Sequence, residues 1–115
     1  MSLVIYHNPR CSKSRQTLAL LEENGHQPEV VEYLKNPPTV DELTATVQKL
    51  GLTPRDIIRT KEAEYKESGL DNQDLTDDQV LDLMNRFPKV IERPIVINGD
   101  KAAVGRPPEN VLNIL

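Results

Sequence analysis

The residues of this sequence with the clearest chemical potential lie in the stretch YHNPRCSKSR, residues 6–15. It contains Cys11, the only cysteine of the chain, with His7 four residues before it and Ser14 three residues after it. Three cations also lie within four residues of the thiol: Arg10, Lys13 and Arg15. A lone cysteine can be a buried hydrophobe, a metal ligand, half of a disulfide or a nucleophile, and the rest of the sequence discriminates among these.

The number of thiols limits the chemistry that the chain can perform. One cysteine excludes an internal disulfide, and with only two histidines present a structural zinc site is not expected. A dithiol motif would be Cys-x-x-Cys, but here the sequence is CSKS, with Ser14 at the position of the second cysteine. The chemistry is therefore monothiol, and any redox reaction needs a further thiol from another molecule.

The local pattern favours a nucleophile over a buried hydrophobe. The apolar run LVIY, residues 3–6, predicts a strand, and a helix is expected from about Cys11 to about Asn24. A helix N-terminus presents unpaired N–H groups and a positive dipole end, which with the three cations favours the reactive thiolate. The same features suit a tetrahedral, phosphate-like oxyanion, although no Walker loop is present.

The remaining elements follow from turn, cap and periodicity signals. Residues 29–34 predict a second strand, which completes a βαβ unit with a parallel pair of strands. Capping-box spacings at Thr39–Glu42 and Thr76–Gln79, together with Thr53 before Pro54, predict that residues 39–87 are helical throughout. An Asn-Gly hairpin between IVI and AAV follows, and then a last helix opened by Pro107 and Pro108 that carries Val111, Leu112 and Leu115.

Composition places the chain among ordinary globular domains. It has 115 residues, 37% of them hydrophobic and 28% charged, which suggests one domain. The net charge of −4 argues against nucleic-acid or anionic-membrane binding. The apolar runs are far shorter than the ~20 residues of a membrane span, and the N-terminus MSLVIYHNPRC lacks the pattern of a secretory signal. A cytoplasmic location is expected.

Several motifs together resemble the glutaredoxin-linked arsenate reductases, the ArsC family. YHNPRCSKSRQTL is similar to the family pattern His-Asn-Pro-x-Cys-x-x-Ser-Arg. RPIV and GRPPE resemble its two later motifs, and NPPTVDEL and LTDDQ resemble its helical insert. The similarity covers essentially the whole chain in the same order. It implies an α/β, thioredoxin-like fold (β-α-β, helical insert, β-β-α) forming one domain over residues 1–115, with the insert at about 39–88.

The resemblance also implies roles for particular residues. Cys11 is the expected nucleophile, which attacks arsenate to give a thiol–arsenate adduct, and His7 is expected to help keep it ionised. Three arginines are expected to clamp the oxyanion: Arg59 in the stretch DIIRTKE, Arg93 in RPIV and Arg106 in GRPPE. Ser14 and Arg15 complete the motif beside the helix N-terminus. Glutathione is implied as co-substrate and glutaredoxin as partner, with no bound cofactor and no metal.

Two other functions fit parts of the pattern. Spx-like proteins share the fold and bind RNA polymerase without catalysis, but they often carry Cys-x-x-Cys and lack HNP before the thiol. A monothiol reductase acting on another oxyanion, or on a glutathione mixed disulfide, would use the same residues, because phosphate-like anions share charge and geometry. Whether the Arg93–Pro94 bond is cis or trans is left open by the sequence.

Overall fold

The computed structural model describes residues 3–115, and these divide into two compact units. The first consists of residues 3–36 and 93–115 and carries Cys11; we call it the thiol unit. The second consists of residues 37–92, and we call it the helical unit. The insert predicted at about 39–88 falls within the helical unit. That the whole chain forms one domain stays a prediction, and its first two residues lie outside the described residues.

The elements follow the predicted order, and the helical unit is one continuous segment between the two parts of the thiol unit. In sequence they are β1 (Leu3–His7), α1 (Ser12–Glu23), β2 (Glu29–Glu32), α2 (Val40–Leu50), a 3₁₀ helix (Pro54–Ile57), α3 (Ala63–Glu67), α4 (Asp77–Arg86), a second 3₁₀ helix (Pro88–Val90), β3 (Ile95–Asn98), β4 (Lys101–Val104) and a third 3₁₀ helix (Pro108–Ile114). Over residues 3–115, no helix is both long and apolar enough to span a membrane.

A mixed four-stranded sheet in the order β2-β1-β3-β4 organises the thiol unit. β1 pairs with β2 in parallel, and His7 lies opposite Glu32 at the carboxyl ends of both strands. β3 runs antiparallel to β1 and to β4, and the β3–β4 hairpin turns at Gly99, whose φ is +62°. The predicted βαβ unit and hairpin are confirmed.

The core of the thiol unit lies between the central strands and the helices that pack on them. Ile5 of β1, Leu21 of α1, Val96 of β3 and Val111 of the third 3₁₀ helix form one fully buried cluster. Burial of such aliphatic side chains stabilises the fold by about 1.5–3 kcal/mol each. The cluster fixes α1 on the sheet, and therefore it fixes where the N-terminus of α1 presents Cys11.

The capping signals of the helical unit are confirmed. At the start of α2, the Glu42 N–H donates to Thr39 Oγ1 at 3.1 Å and the Thr39 N–H donates to Glu42 Oε1 at 2.9 Å. Gly51 ends that helix in the left-handed conformation, with φ of +69°. Thr76 and Gln79 make the same reciprocal pair at the start of α4. These local patterns mark where α2 and α4 begin and where α2 ends.

The prediction that residues 39–87 are helical throughout is wrong. The backbone leaves the helical region at Ile58, which forms an antiparallel bridge with Ile91. The Arg59 N–H donates to the Val90 carbonyl at 2.7 Å, and the Glu92 N–H donates to the Ile57 carbonyl at 2.8 Å. Ile57 and Ile58 are both buried. An extended segment with cross-strand bonds replaces the helix that the Thr-Pro cap predicted.

The C-terminal helix is present but is a 3₁₀ helix rather than an α-helix. In a 3₁₀ helix every third residue faces the same side. Pro108 and Val111 are accordingly buried, with Ile114 partly buried after them, whereas Leu112 and Leu115 are 41% and 40% exposed. Of the three apolar residues that the sequence analysis placed on this helix, only Val111 is therefore buried.

Candidate active site

Cys11 is the N-cap residue of α1 and lies just beyond the carboxyl end of β1. The intervening loop, residues 8–10, which we call the thiol loop, is a tight turn, because the Cys11 N–H donates to the Asn8 carbonyl at 3.0 Å. The Asn8 side chain stabilises the turn from inside, since its Oδ1 accepts from the Arg10 N–H at 3.0 Å. The predicted position of the thiol at a helix N-terminus is confirmed.

The surroundings of Cys11 favour the thiolate. Burial, the largest single influence, raises the pKa of the Cys11 thiol. Hydrogen bonds from the backbone N–H groups of Ser14 and Lys13, together with a hydrogen bond and the charge of Arg93, outweigh it and lower that pKa below its ordinary value. Two of these groups belong to the first turn of α1, and the third comes from the segment before β3.

His7 and Ser14 form a buried hydrogen-bonded pair beneath the thiol loop. His7 Nδ1 lies 2.6 Å from Ser14 Oγ, and the same hydroxyl oxygen accepts from the Asn8 N–H at 3.0 Å. Burial lowers the pKa of His7 most; Glu32 opposes this effect and Arg15 adds to it. The ring is thus favoured in its neutral form, in which Nδ1 can accept the Ser14 hydroxyl hydrogen. The pair holds the loop that carries Cys11.

Besides Arg10 in the loop itself, three arginines of the thiol unit lie beside this loop or on the neighbouring segments. Arg93 contacts Cys11, as described above, and its carbonyl accepts from Arg106 Nε at 2.9 Å. Both arginines precede a proline through a cis peptide bond. Arg15 is exposed, and its Nη1 donates to the Pro9 carbonyl at 2.9 Å, which ties α1 to the thiol loop.

Gly105, which the sequence analysis did not single out, allows the Arg106 segment to approach the site. A Cβ atom there would lie 2.6 Å from Thr17 Oγ1 and 2.8 Å from Pro94 Cγ. The Gly105 N–H also donates to the Pro94 carbonyl at 2.9 Å. A residue with any side chain would force these segments apart. The signal for it was the glycine directly before Arg106 in GRPPE.

Arg59 is the one predicted clamp residue that belongs to the helical unit. Its Nε lies 3.3 Å from Glu62 Oε1 and its Nη1 lies 3.2 Å from Glu92 Oε1. Its guanidinium is therefore shared between two partly buried carboxylates. No sequence pattern predicted the pairing with Glu92, because Glu92 is distant from Arg59 in the chain. The role of Arg59 toward a substrate stays a prediction.

The arrangement in the thiol unit can stabilise a nucleophilic thiolate and, by the same donors, a bound oxyanion. Backbone N–H groups at a helix N-terminus and an arginine fork are the groups that bind tetrahedral oxyanions. Among residues 3–115, no cluster of three or more His, Cys, Asp or Glu side chains is placed to hold a metal ion.

Comparison with known proteins identifies the relatives of this chain. A sequence model of the ArsC family matches residues 6–114. An arsenate reductase of Haemophilus influenzae is 53% identical over the full length of both chains. An uncharacterised protein of Escherichia coli, YfgD, is 49% identical over 96% of this chain and 94% of its own length.

Solved structures extend the comparison to the fold. The structure of an arsenate reductase from Vibrio cholerae superposes with a TM-score of 0.95 at 53% identity. The match covers 100% of this chain and 98% of the other. The α/β, thioredoxin-like fold expected from the sequence is thereby confirmed.

Proposed function

Because this chain belongs to the ArsC family, we propose that it is an arsenate reductase that takes its electrons from glutathione and glutaredoxin. The observation that carries the proposal is the environment of Cys11, where two backbone N–H groups of α1 and Arg93 favour the thiolate. A chain with one cysteine cannot reduce a substrate by forming an internal disulfide. Both further thiols must therefore come from other molecules.

The reaction begins with the Cys11 thiolate. It attacks arsenic, an S–As bond forms, and one arsenate oxygen leaves as water after protonation. A glutathione thiolate then adds to arsenic with loss of a second oxygen as water. Arsenic remains in the +5 state through both substitutions. The donors around Cys11 would hold the remaining anionic oxygens during these steps.

Electron transfer occurs when a glutaredoxin thiolate attacks the glutathione sulfur. The bond between that sulfur and arsenic breaks, its electron pair stays on arsenic, and As(V) becomes As(III). The glutathione and glutaredoxin sulfurs leave as a mixed disulfide. Hydrolysis of the Cys11–arsenic bond then releases arsenite and restores the thiol. No step needs a bound cofactor or a metal.

Arg93 and Arg106 are proposed to clamp the oxyanion, with Arg59 as a third member on the resemblance alone. Two contacts support the first two residues: Arg93 hydrogen-bonds Cys11, and Arg106 Nε is anchored on the Arg93 carbonyl. His7 and Ser14 are proposed to act through the shape of the thiol loop, because their side chains bond each other. Arg15 supports the same loop through the Pro9 carbonyl.

The test is NADPH consumption by the purified protein with arsenate, glutathione, glutaredoxin and glutathione reductase, together with chromatographic detection of arsenite. The matched control is Cys11→Ser, which changes one atom of the side chain. We expect arsenate-dependent consumption that disappears in the variant and when glutaredoxin is omitted. NADPH consumption that persists in Cys11→Ser would refute the assignment of Cys11 as the nucleophile.

A second candidate is a monothiol reductase for another oxyanion or for a glutathione mixed disulfide. The observation in its favour is that the donors around Cys11 recognise negative charge and tetrahedral shape rather than arsenic itself. A folded protein whose Cys11 is rapidly alkylated but which produces no arsenite would exclude the arsenate reductase and support this candidate.

A further inference from the structure

Tyr33 lies at the same edge of the sheet as Cys11, although no sequence motif singled it out. It directly follows β2, and its side chain is fully buried, with 0% exposed. β1 and β2 are parallel and His7 lies opposite Glu32. The next residues, Asn8 and Tyr33, therefore leave the sheet side by side, and Asn8 opens the loop that presents Cys11.

The hydroxyl of Tyr33 is an exception among buried polar groups. It is inaccessible to solvent and has no hydrogen-bond partner of good geometry within residues 3–115. Buried hydroxyl groups are normally paired, because an unpaired one costs free energy on folding. Such an atom in a native structure requires an explanation.

The groups around this hydroxyl are those of the active site. Burial raises the pKa of the Tyr33 phenol, the side chains of Arg93 and Asn8 lower it, and the charge of Cys11 raises it. Arg93 and Asn8 are thus the side chains close enough to hydrogen-bond the phenol oxygen, although neither does so with the geometry of a full hydrogen bond. A phenol oxygen can accept from a guanidinium, which has donors only.

We infer that Tyr33 is a positioning residue whose buried hydroxyl orients the Arg93 guanidinium toward Cys11. Being buried, it touches neither substrate nor solvent and acts through Arg93. The inference rests on the proposed role of Cys11 as the nucleophile. It does not depend on which oxyanion the site accepts.

The experiment measures the rate of Cys11 alkylation by iodoacetamide from pH 5 to pH 9 in Tyr33→Phe and in the parent, without arsenate. Loss of the hydroxyl should raise the pKa of Cys11, so that alkylation near pH 6.5 slows by about threefold to tenfold. Tyr65→Phe, a partly buried tyrosine of the helical unit, is the matched control and should leave the profile unchanged.

A double variant tests whether Tyr33 affects the pKa of Cys11 through Arg93. In Tyr33→Phe combined with Arg93→Ala, the pKa of Cys11 should equal that of Arg93→Ala alone, because the hydroxyl then has nothing to position. Additive shifts would overturn the inference. So would an unchanged alkylation profile in a Tyr33→Phe protein whose urea denaturation curve shows that it is folded.

If Tyr33→Phe does not fold, NMR spectroscopy of the unaltered Tyr33 phenol provides a second test. In protein labelled with ¹³Cζ-tyrosine, the Tyr33 resonance should shift as Cys11 ionises and should stay fixed in Cys11→Ser. A Tyr33 chemical shift that does not change as Cys11 ionises would overturn the inference. Since no assay here uses arsenate, a lack of arsenite production would refute the proposed function and leave this inference standing.

Discussion

The two units use polar side chains in opposite ways. Among the described residues, five polar side chains are classed as buried: His7, Asn8, Ser14, Thr17 and Thr46. Four of them belong to the thiol unit, where they bond the loop and helix that present Cys11. The polar pairs of the helical unit are mostly exposed caps, such as Thr39 with Glu42. Burying polar groups is costly unless they are paired, so their concentration marks the part of the chain built for chemistry.

The surroundings of the arginines also differ between the two units. In the helical unit Arg59 is balanced by Glu62 and Glu92. In the thiol unit Arg93 contacts the thiol, and its positive charge lowers the pKa of Cys11. One arginine is therefore paired with carboxylates, whereas the other acts on the thiol. Substitutions in each unit test whether this difference between them holds.

Gly105→Ala should have the largest effect. The added Cβ would lie 2.6 Å from Thr17 Oγ1 and 2.8 Å from Pro94 Cγ, so the Arg106 segment must move. We expect a loss of about 1–3 kcal/mol in the free energy of unfolding, together with reduced reductase activity. Urea denaturation and the coupled NADPH assay measure the two effects.

Gly69→Ala is the control in the helical unit. Gly69 has φ of +87° and open space around its Cβ position, so only backbone strain of about 1 kcal/mol is expected. Activity should be unchanged. Equal losses of activity in the two glycine variants would contradict the view that reactivity depends on the thiol unit alone.

Arg93→Ala should raise the pKa of Cys11, because a hydrogen bond and a positive charge are removed from beside the thiolate. Alkylation near pH 6.5 should slow about tenfold, which corresponds to a free-energy difference of about 1.4 kcal/mol. Arg59→Ala should leave the alkylation profile unchanged, because two carboxylates balance its charge. A comparable shift in Arg59→Ala would show that the helical unit also governs the thiol.

Thr76→Ala should destabilise the protein without affecting the thiol. The Thr76 hydroxyl accepts from the Gln79 N–H at 3.3 Å at the exposed start of α4. Loss of such a cap costs about 1 kcal/mol. Thermal unfolding should show a lower midpoint while iodoacetamide reactivity stays at the parent level; a change in reactivity would argue against independent roles.

The pH dependence of stability should differ between the units. Burial lowers the pKa of His7 below its ordinary 6.5, so the unfolded chain binds a proton more readily. Stability from this group is present above about pH 6.5 and is lost as the pH falls below it. In the helical unit, the Thr53 N–H and hydroxyl lower the pKa of Asp56 below its ordinary 3.8, and that stability is lost only below about pH 4.

Urea denaturation at successive pH values separates these two windows. His7→Gln should flatten the stability curve between pH 7 and pH 5, whereas Asp56→Asn should alter it only below about pH 4. Both effects are expected to be small. If the stability of His7→Gln varies with pH in parallel with that of the parent, protonation of His7 is not coupled to folding.

Local patterns in the sequence were sufficient for much of the fold. The capping boxes at Thr39 and Thr76 and the hairpin at Gly99 were predicted correctly, because each depends on residues within a few positions of one another. The Thr-Pro signal at Thr53 failed as the start of a long helix. Pairing of Ile58 with Ile91 supplied backbone bonds that compete with helix formation.

Neighbouring residues alone were enough to identify Cys11 as a lone thiol at a helix N-terminus among cations. Which cation contacts the thiol depends on the folded chain, because folding brings Arg93, Tyr33 and the close approach at Gly105 to the same edge of the sheet. The reason is physical: caps and turns depend on short-range bonds, whereas contacts between distant segments depend on strand register and core packing.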